Sequence, residues 1–317
     1  MRTVFMGTPD FAVPCLERLH KLTEVVAVYT QPDRPQGRGL SLAPPAVKVA
    51  ADRLGLRVRQ PERLRRPAAL SELRELEPDL IVVVAYAQLL PRQVLDLPPR
   101  GCINVHASLL PAYRGGAPIH WAVLSGEAVS GVTTMLMSEQ LDAGDMLLQA
   151  STPIGPDETT GELHDRLAIL GADLLAETLV KLEQGQLQPR PQPASGVSYA
   201  RNIQKSDGLI DWSMPASSIH NLVRGLNPWP AAFTYHQERM LRVWCSQLLP
   251  PGEGGDPGRV LRITSEGPVI ATGSGALLLR SVQPASKRRM SGADYARGYG
   301  LQPGAMLGGN QGSADNV

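Results

Sequence analysis

Cysteine and long apolar runs are scarce in this sequence. The 317 residues contain only three cysteines, Cys15, Cys102 and Cys245, which are far apart and form no Cys-x-x-Cys pair. We therefore expect no disulfide framework, no structural zinc site and no other bound metal. No apolar run reaches the length of a membrane-spanning helix, and no secretory signal precedes the first predicted strand. These absences predict a cytoplasmic protein without membrane association.

Net charge is also small. Lys and Arg number 31 against 30 Asp and Glu, a formal charge of +1, which excludes a protein that acts mainly through nonspecific attraction to nucleic acid. The charge is uneven, however. From Lys205 onward there are 11 basic and 8 acidic residues, whereas the part before it has 20 basic and 22 acidic residues. The rear part is therefore the better candidate for contact with phosphate.

Short apolar runs alternate with helical patterns in the front two thirds of the chain. One of them, residues 80–84, is apolar on both faces, as central parallel strands are. This rhythm predicts an α/β fold with an open, mostly parallel, Rossmann-like sheet. The strands are expected at residues 3–6, 25–29, 80–84, 103–106 and 132–137, and the first helix at 11–21. Residues 7–10 (GTPD) lack the Gly-x-Gly-x-x-Gly fingerprint, so no dinucleotide site is predicted.

A long amphipathic helix closes the predicted first domain. Thr159 and Glu162 have the spacing of a capping box, and apolar positions recur at helical spacing up to about Glu183. Alternating prolines then favour a semi-rigid linker. We predict a catalytic domain over residues 1–187, a linker over 188–204, a C-terminal domain over 205–310 and a disordered tail over 311–317.

The C-terminal domain has the pattern of a small β-barrel, which we expect to be OB-like. Short strand patterns are separated by turn-rich segments, and one helical pattern precedes them. The strands are expected at residues 240–245, 259–264, 269–272 and 276–282, and the helix at about 216–224.

Asn104 and His106 belong to the segment with the most side chains that could take part in chemistry. Alternation along a strand places both side chains on the same side, and the carboxyl end of a parallel strand faces the crevice where ligands of open α/β sheets bind. An amide can donate to an oxyanion, and an imidazole can move a proton near neutral pH. A core histidine with satisfied hydrogen bonds and a turn-forming asparagine explain the pair equally well, so both interpretations stay open on these residues alone.

Asp142 lies in a glycine-containing turn after a predicted strand. Aspartate in such turns often bonds only its own backbone. A carboxylate at this position could also orient the imidazole and offset the positive charge of an attacking amine.

Six motifs spread over almost the whole chain resemble those of the methionyl-tRNA formyltransferase family. They are residues 6–11 (MGTPDF), 31–35 (QPDRP), 103–119 (INVHASLLPAYRGGAPI), 141–147 (LDAGDML), 210–212 (IDW) and 227–232 (NPWPAA). The resemblance implies transfer of a formyl group from the co-substrate 10-formyltetrahydrofolate to the α-amine of methionyl initiator tRNA.

The resemblance also implies roles for the three polar residues. Asn104 would polarise the formyl oxygen and hold the oxyanion, and His106 would relay a proton between the amine and the folate nitrogen. Asp142 would orient His106 or a water molecule and stabilise the charged intermediate. The folate is expected against two segments that follow strands, namely Ala87, Gln88, Leu89 and Leu90, and Ser108, Leu109, Leu110 and Pro111.

Two basic features are expected to contact the tRNA. In the resembled family the loop at residues 31–41 reaches the acceptor stem with an arginine at the place of Arg38, although this chain has Leu40-Ser41 where relatives often have lysines. The second feature is the cluster Lys287, Arg288 and Arg289, for which a solvated surface is the alternative.

Three other functions remain alternatives. A transferase acting on glycinamide ribonucleotide or an amino sugar would share the catalytic set, but the second domain and the motif at 103–119 favour tRNA. Hydrolysis of 10-formyltetrahydrofolate would be expected with a regulatory domain ahead of the sheet. A noncatalytic RNA-binding protein would not need Asn104, His106 and Asp142 together. No exposed apolar stripe stands out, so we expect a monomer.

Overall fold

The structure is a computed structural model that describes residues 1–36 and 41–308, without the side chains of Gln36 and Ser41. The predicted contact of Arg38 and the predicted tail at 311–317 lie outside these residues. The chain divides into two compact units. The first unit contains Met1–Pro118, Val129–Pro153 and His164–Arg201, and the second contains Ile119–Ala128, Ile154–Leu163 and the residues from Asn202 onward.

Strands and helices alternate through the front part of the chain, which confirms the α/β prediction. The elements are β1 (Arg2–Gly7), α1 (Val13–Leu22), β2 (Glu24–Tyr29), β3 (Arg34–Gln36), β4 (Ser41–Ala43), α2 (Ala46–Arg53), β5 (Val58–Arg59), α3 (Pro67–Glu75), β6 (Leu80–Val84), α4 (Arg92–Leu95), β7 (Cys102–His106), β8 (Arg114–Gly115), α5 (Pro118–Leu124), β9 (Val129–Leu136), β10 (Met146–Pro153), α6 (Thr160–Glu183) and β11 (Tyr199–Ala200). The prediction of one helix from residue 11 is wrong in its first turn. A 3-10 turn at Asp10–Ala12 comes first, and α1 begins with a proline in its first turn, where the missing N–H is tolerated.

The main sheet of the first unit has seven strands in the order β10-β9-β7-β6-β1-β2-β5. Neighbouring strands from β7 to β5 are parallel, and β9 is antiparallel to both β7 and β10. All residues of β6 and β7 are buried, so both faces of the sheet are covered at its centre. The sheet is therefore Rossmann-like and mostly parallel, and the carboxyl ends of β1, β6 and β7 meet at one edge.

The capping box predicted for α6 forms. The carboxylate of Glu162 accepts from the N–H of Thr159 at 2.9 Å, and the N–H of Glu162 donates to the Thr159 hydroxyl at 3.3 Å. These bonds favour the charged carboxylate and lower the pKa of Glu162. The helix ends at Glu183, as predicted.

Small and hydroxylated side chains pack α6 of the first unit against the sheet. A Cβ at Gly171 would lie 3.2 Å from a methyl group of Val105, so the helix backbone comes close to β7. The hydroxyls of Thr134 and Thr178 are 2.9 Å apart in the same interface, where both residues are buried. Within the described residues, no helix combines the length and apolarity needed to cross a bilayer.

The second unit contains an antiparallel sheet, and the helix and the four strands predicted for it are confirmed. Its elements are a 3-10 turn (Lys205–Gly208), α7 (Ala216–Gly225), β12 (Ala232–His236), β13 (Arg239–Leu248), β14 (Val260–Ile263), β15 (Pro268–Ala271), β16 (Ala276–Pro284), β17 (Met290–Ser291) and α8 (Gly292–Tyr299). The strand order is β12-β13-β16-β15-β14, with β17 beside β16. In the described part of the chain, the outer strands β12 and β14 do not pair with each other, so the order is an open path.

Apolar side chains from α7, α8 and the sheet form the core of the second unit. Ile219, Val243, Leu279 and Tyr295 are almost fully buried in it. Trp212 joins this core, and its indole N–H donates to the hydroxyl of Thr234 at 2.9 Å. This hydrogen bond offsets the free-energy cost of burying the indole N–H.

Candidate active site

Strand β7 brings Asn104 and His106 to the same face near its carboxyl end. Asn104 pairs with Val83 on β6 and with Met135 on β9, and His106 pairs with Thr133 on β9. Both side chains are nearly buried, at 8% and 6% exposure. The predicted placement is therefore confirmed: an amide and an imidazole point together from the end of a central strand.

The amide of Asn104 is unusual because it makes no hydrogen bond to any residue in the described ranges 1–36 and 41–308. The polar atoms of this amide are not fully buried, so they stay accessible at the edge of the sheet. A group that binds only when substrate is present would satisfy it. This geometry favours the ligand-binding interpretation of Asn104 over that of a turn former.

His106 is oriented by the main chain. Its Nε2 lies 3.0 Å from the carbonyl oxygen of Tyr113. Because a carbonyl can only accept, Nε2 carries the proton of that hydrogen bond, and Nδ1 of the neutral ring is left with a lone pair. Nδ1 faces the carboxylate of Asp142 at 3.8 Å, which is too long for a direct hydrogen bond. The structure therefore gives the orienting role to the Tyr113 carbonyl and leaves Nδ1 able to accept a proton.

Asp142 is held in the turn between β9 and β10 with a left-handed backbone, at φ 48°. Its Oδ2 accepts from the N–H of Gly115 at 2.8 Å, so the carboxylate bonds a distant segment rather than only its own turn. The side chain is 12% exposed. Gly144 lets the turn approach β9, because a Cβ there would overlap the carbonyl oxygen of Leu136. The turn thus presents a fixed carboxylate to the imidazole.

Two residues outside the predicted catalytic set clamp this turn. The amide nitrogen of Gln192 donates to the carbonyls of Asp142 at 2.8 Å and of Gly144 at 2.9 Å. Its amide oxygen accepts from the guanidinium of Arg114 at 2.7 Å and 3.1 Å. Gln192 lies in the segment predicted as a linker, where its residue type gave no signal. The position of Arg114 inside the motif at 103–119 was the one available indication.

Residues 87–90 follow β6 and differ in how far their side chains are exposed to solvent. Ala87 is exposed, Leu89 is 79% exposed, and Leu90 is buried. The Gln88 amide is used within the chain, since it accepts from the N–H of Leu64 at 2.8 Å and donates to the carbonyl of Pro61 at 3.1 Å. Only Ala87 and Leu89 of this segment therefore present open side-chain surface to a ligand.

Residues 108–111 form a braced turn after β7. The Thr133 hydroxyl donates to the carbonyl of Ser108 at 2.7 Å and accepts from the N–H of Leu110 at 3.1 Å. The Ser108 hydroxyl donates to the carbonyl of Ala112 at 2.6 Å. Ser108 and Leu110 are buried, whereas Leu109 and Pro111 are partly exposed. The turn is thus rigid beside His106.

The basic cluster Lys287, Arg288 and Arg289 lies in the turn between β16 and β17, and all three residues are exposed. The guanidinium of Arg289 lies over the ring of Trp244 at 4.1 Å from its centroid, a cation–π arrangement. The carbonyl of Lys287 accepts from the amide of Gln283 at 2.7 Å. The cluster is therefore attached to an ordered hairpin.

Comparisons with known proteins agree with this geometry. A profile of the family described as formyl transferase matches residues 1–179, and one described as formyl transferase, C-terminal domain, matches residues 202–300. The methionyl-tRNA formyltransferase of Citrifermentans bemidjiense is 51% identical over 309 residues, covering 97% of this chain and 96% of that protein. That of Acetivibrio thermocellus is 49% identical over 310 residues, covering 97% and 100%.

Solved structures share the fold at low identity. An N-formyltransferase from Helicobacter canadensis, solved with folinic acid and dTDP-3-aminofucose, aligns with a TM-score of 0.66 at 18% identity over 88% of this chain and 98% of its own. HypX from Aquifex aeolicus, solved with tetrahydrofolic acid, aligns with a TM-score of 0.63 at 18% identity over 93% of this chain and 47% of its own. The sequence matches go further than the shared fold: at 49–51% identity through nearly the whole length, they show that this chain belongs to the methionyl-tRNA formyltransferase family.

Proposed function

We propose that this protein transfers the formyl group of 10-formyltetrahydrofolate to the α-amine of methionine on initiator tRNA, giving N-formylmethionyl-tRNA for translation initiation. The observation that carries the proposal is the convergence of Asn104, His106 and Asp142 at the end of β7. This convergence occurs in a chain that is about half identical to methionyl-tRNA formyltransferases throughout.

Asn104 acts as the donor to the formyl oxygen. Its unpartnered, buried amide is already in place, so no reorganisation is needed when negative charge develops on that oxygen. The amine nitrogen bonds to the formyl carbon while the bond from that carbon to the folate nitrogen breaks. The amide N–H groups of Asn104 stabilise the oxyanion between these two events.

His106 moves the proton that this exchange requires. Nδ1 is the ring atom with a lone pair, since Nε2 donates to the Tyr113 carbonyl. It takes the proton that the attacking amine loses and returns it to the folate nitrogen that leaves. Asp142, 3.8 Å from Nδ1, stabilises the imidazolium that exists between the two transfers.

The folate is expected at the edge where the turns after β6 and β7 meet. Leu89 supplies exposed apolar surface, and Leu109 and Pro111 border the catalytic histidine. Ala87, Gln88, Leu90, Ser108 and Leu110 shape this site mainly through their backbone, because their side chains are small, buried or bonded within the chain. A pteridine needs such backbone donors and acceptors at the edge of an apolar slot.

The second unit is proposed to bind the tRNA with the exposed cluster Lys287, Arg288 and Arg289. Arg38 is the proposed contact from the first unit. We propose an OB-like barrel, built on the antiparallel path β12-β13-β16-β15-β14, as the architecture that presents the cluster. As part of the same proposal, we keep the domain limits 1–187, 188–204 and 205–310, a monomeric state and a cytoplasmic location, where the acceptor is used.

A panel of acceptors tests the proposed function. The protein is incubated with 10-formyltetrahydrofolate and, separately, methionyl initiator tRNA, glycinamide ribonucleotide, a nucleotide-linked amino sugar, or buffer alone. We expect tetrahydrofolate to be released rapidly only with the tRNA. Comparable release in buffer would instead indicate hydrolysis, and release with the sugar or the ribonucleotide would indicate another transferase.

A further inference from the structure

The second unit contains a polar pocket that the proposed reaction does not use. Its volume is about 270 Å³, slightly below the range of roughly 300–1,000 Å³ typical of sites for drug-sized ligands. The segment Ile154–Leu163, helix α7 and strands β13 and β16 line it. The lining side chains that matter here are Arg224, His220, Trp244, Cys245, Ser246 and Arg280.

Arg224 is a buried cation that forms no ion pair with the other residues that the structure describes. It is 7% exposed. Its Nε donates to the Asn221 side chain at 2.9 Å, and its Nη1 donates to the carbonyls of Gly155 and Glu158 at 3.2 Å each. Nη2 has no hydrogen-bond partner, and no carboxylate forms an ion pair with this guanidinium, in the part of the chain that the structure describes. Desolvation accordingly lowers the pKa of Arg224, against the opposing charges of Asp157 and Glu158. Such a group favours an anion beside it.

His220 and Ser246, which line the pocket beside Arg224, already have hydrogen-bond partners. His220 Nε2 lies 3.1 Å from the Pro156 carbonyl, so it carries the proton, and Nδ1 accepts from the Ser246 hydroxyl at 3.1 Å. Asp157 lies 3.4 Å from the same Nε2, but its side chain is 80% exposed. Ser246 is buried and its hydroxyl proton is committed, so this set does not present a nucleophile. The free donors of the pocket come from its arginines.

A second guanidinium and an aromatic ring connect the pocket to the basic cluster. Arg280 pairs with Glu266 at 2.6 Å, but both side chains are about half exposed, so the pair can open to another anion. Trp244 lines the pocket and carries Arg289 over its ring. The pocket therefore borders the cluster at 287–289 on the second unit, and the exposed carboxylate of Asp157 is the acidic group in its lining.

We propose that this pocket holds a phosphate group of the tRNA backbone, with Arg224 as its buried donor and Arg280 as the donor at the rim. The proposal rests on the proposed function, which supplies the RNA. A single phosphate with its ribose suits a pocket of this volume. The guanidinium forks suit phosphate oxygens because each can donate two parallel hydrogen bonds.

The salt dependence of tRNA binding tests the proposal. We compare the wild type, Arg224→Lys, Arg280→Gln and the control Arg297→Gln, in which an exposed arginine on α8 loses its ion pair with Asp294. Arg280→Gln removes a charge and is expected to reduce the slope of log K against log salt by about 0.9. Arg224→Lys keeps the charge and therefore the slope, but it loses the two parallel donors of the guanidinium. Both variants are expected to bind tRNA about tenfold more weakly at low salt. The control should keep the wild-type slope. Wild-type slope and affinity in both pocket variants would overturn the proposal.

Cys245 provides a test that needs no substitution. It lines the pocket and is exposed, whereas Cys15 and Cys102 are buried. Partial desolvation of the thiol raises the pKa of Cys245. Alkylation by iodoacetamide is therefore followed at mildly alkaline pH, where more of the thiol is ionised. Initiator tRNA should slow alkylation of Cys245 by about tenfold in the wild type, and less in Arg224→Lys at the same tRNA concentration.

The outcomes separate this proposal from others. Protection by inorganic phosphate or a free nucleotide, but not by tRNA, would show that the pocket serves a small phosphate ligand and would overturn the RNA assignment. Unchanged alkylation with tRNA would also overturn it. A wild-type protein that binds tRNA and protects Cys245 but forms no formylmethionine would refute the proposed function and leave the phosphate site standing.

Discussion

At the scale of single residues, the candidate site is distinguished by polar side-chain atoms that lack a hydrogen-bond partner. Asn104 is buried without a hydrogen-bond partner among the described residues, and His106 has one ring nitrogen fixed and the other available. A structural histidine would use both nitrogens. The free ring nitrogen of His106 faces the Asp142 carboxylate, which is itself held by the N–H of Gly115. The arrangement is that of a site prepared for substrate rather than for stability.

Removal of the Asn104 amide should impair chemistry and spare the fold. We expect Asn104→Ala to lower kcat by about 100- to 1,000-fold, because one donor to an oxyanion contributes about 2.7–4 kcal/mol. The melting temperature should stay at or above the wild-type value, since the amide has no hydrogen bond to lose among the described residues. Steady-state kinetics with saturating tRNA and thermal denaturation measure the two effects. Near-full turnover in this variant would remove Asn104 from the proposed mechanism.

His236 should make the second unit sensitive to acid. Burial lowers the pKa of His236, and Arg239 lowers it further. The folded state therefore binds fewer protons than the unfolded state, in which histidine titrates near 6.5. The contribution of the neutral His236 ring to the free energy of unfolding is therefore present at neutral pH and is lost as the pH falls below about 6.5.

We expect the free energy of unfolding to fall less between pH 7 and 5 in His236→Gln than in the wild type, by chemical denaturation at each pH. The Tyr295 hydroxyl, 2.8 Å from His236 Nδ1, retains a possible partner in that variant. Parallel pH curves for the two proteins would contradict the assignment.

At the scale of elements, the turn carrying Asp142 is positioned by a segment far away in the sequence. Strand β11 of the linker segment pairs with β8, the N–H of Tyr113 donates to the Ser198 hydroxyl at 2.9 Å, and Gln192 bonds the carbonyls of the turn. The segment predicted as a spacer is therefore part of the support of the site. A positioning residue in such a support acts through the geometry of the groups it holds.

Gln192→Ala should lower kcat by about 10- to 100-fold, because loss of the clamp lets the Asp142 carboxylate shift by a fraction of an ångström to an ångström. The KM for the folate should change little, since Gln192 is not expected to touch it. Gln188→Ala is the matched control, because Gln188 is an exposed residue of the same segment.

The variant Gln192→Glu keeps an acceptor for Arg114 but loses the donor to the two carbonyls. It should resemble Gln192→Ala in kcat. Recovery of wild-type kcat by the glutamate would show that the bond to Arg114, and not the clamp on the turn, is what matters.

The sequence predicted the elements better than their contacts. Alternation and apolar runs were sufficient for β6, β7, β9 and the four strands from β13 to β16, because each has a periodic pattern of its own. The pairing of β11 with β8 was not predictable, since two-residue strands separated by more than eighty positions have no local signature. The motif at 103–119 pointed to Asn104 and His106 as candidate catalytic residues. It did not reveal that a backbone carbonyl, rather than Asp142, orients His106.

At the scale of the whole molecule, charge is distributed unevenly between the front and rear parts of a nearly neutral chain. The excess of basic residues lies from Lys205 onward, and its densest cluster is exposed on the hairpin between β16 and β17. Local basic surface on a neutral protein favours a defined RNA contact over indiscriminate binding.

The triple change Lys287→Ala, Arg288→Ala and Arg289→Ala should raise the KM for tRNA and leave the KM for 10-formyltetrahydrofolate unchanged. If all three residues contact phosphate, the slope of log K against log salt should fall by about 2.7, at about 0.9 per contact. Arg259 and Arg262, exposed arginines elsewhere in the second unit with acidic partners, provide a control double alanine variant. An unchanged KM for tRNA in the triple variant would remove the cluster from the interface.

We propose that this chain moves a formyl group to the methionine amine through the site at the end of β7. The most direct test is a single-turnover reaction of the wild type and His106→Ala with formyl-labelled 10-formyltetrahydrofolate and methionyl initiator tRNA. The ester is then hydrolysed in base and the labelled product is identified. We expect label in N-formylmethionine, formed rapidly by the wild type and orders of magnitude more slowly by His106→Ala. Label that remains on the folate or leaves as formate with the wild type, or equal rates for the two proteins, would contradict it.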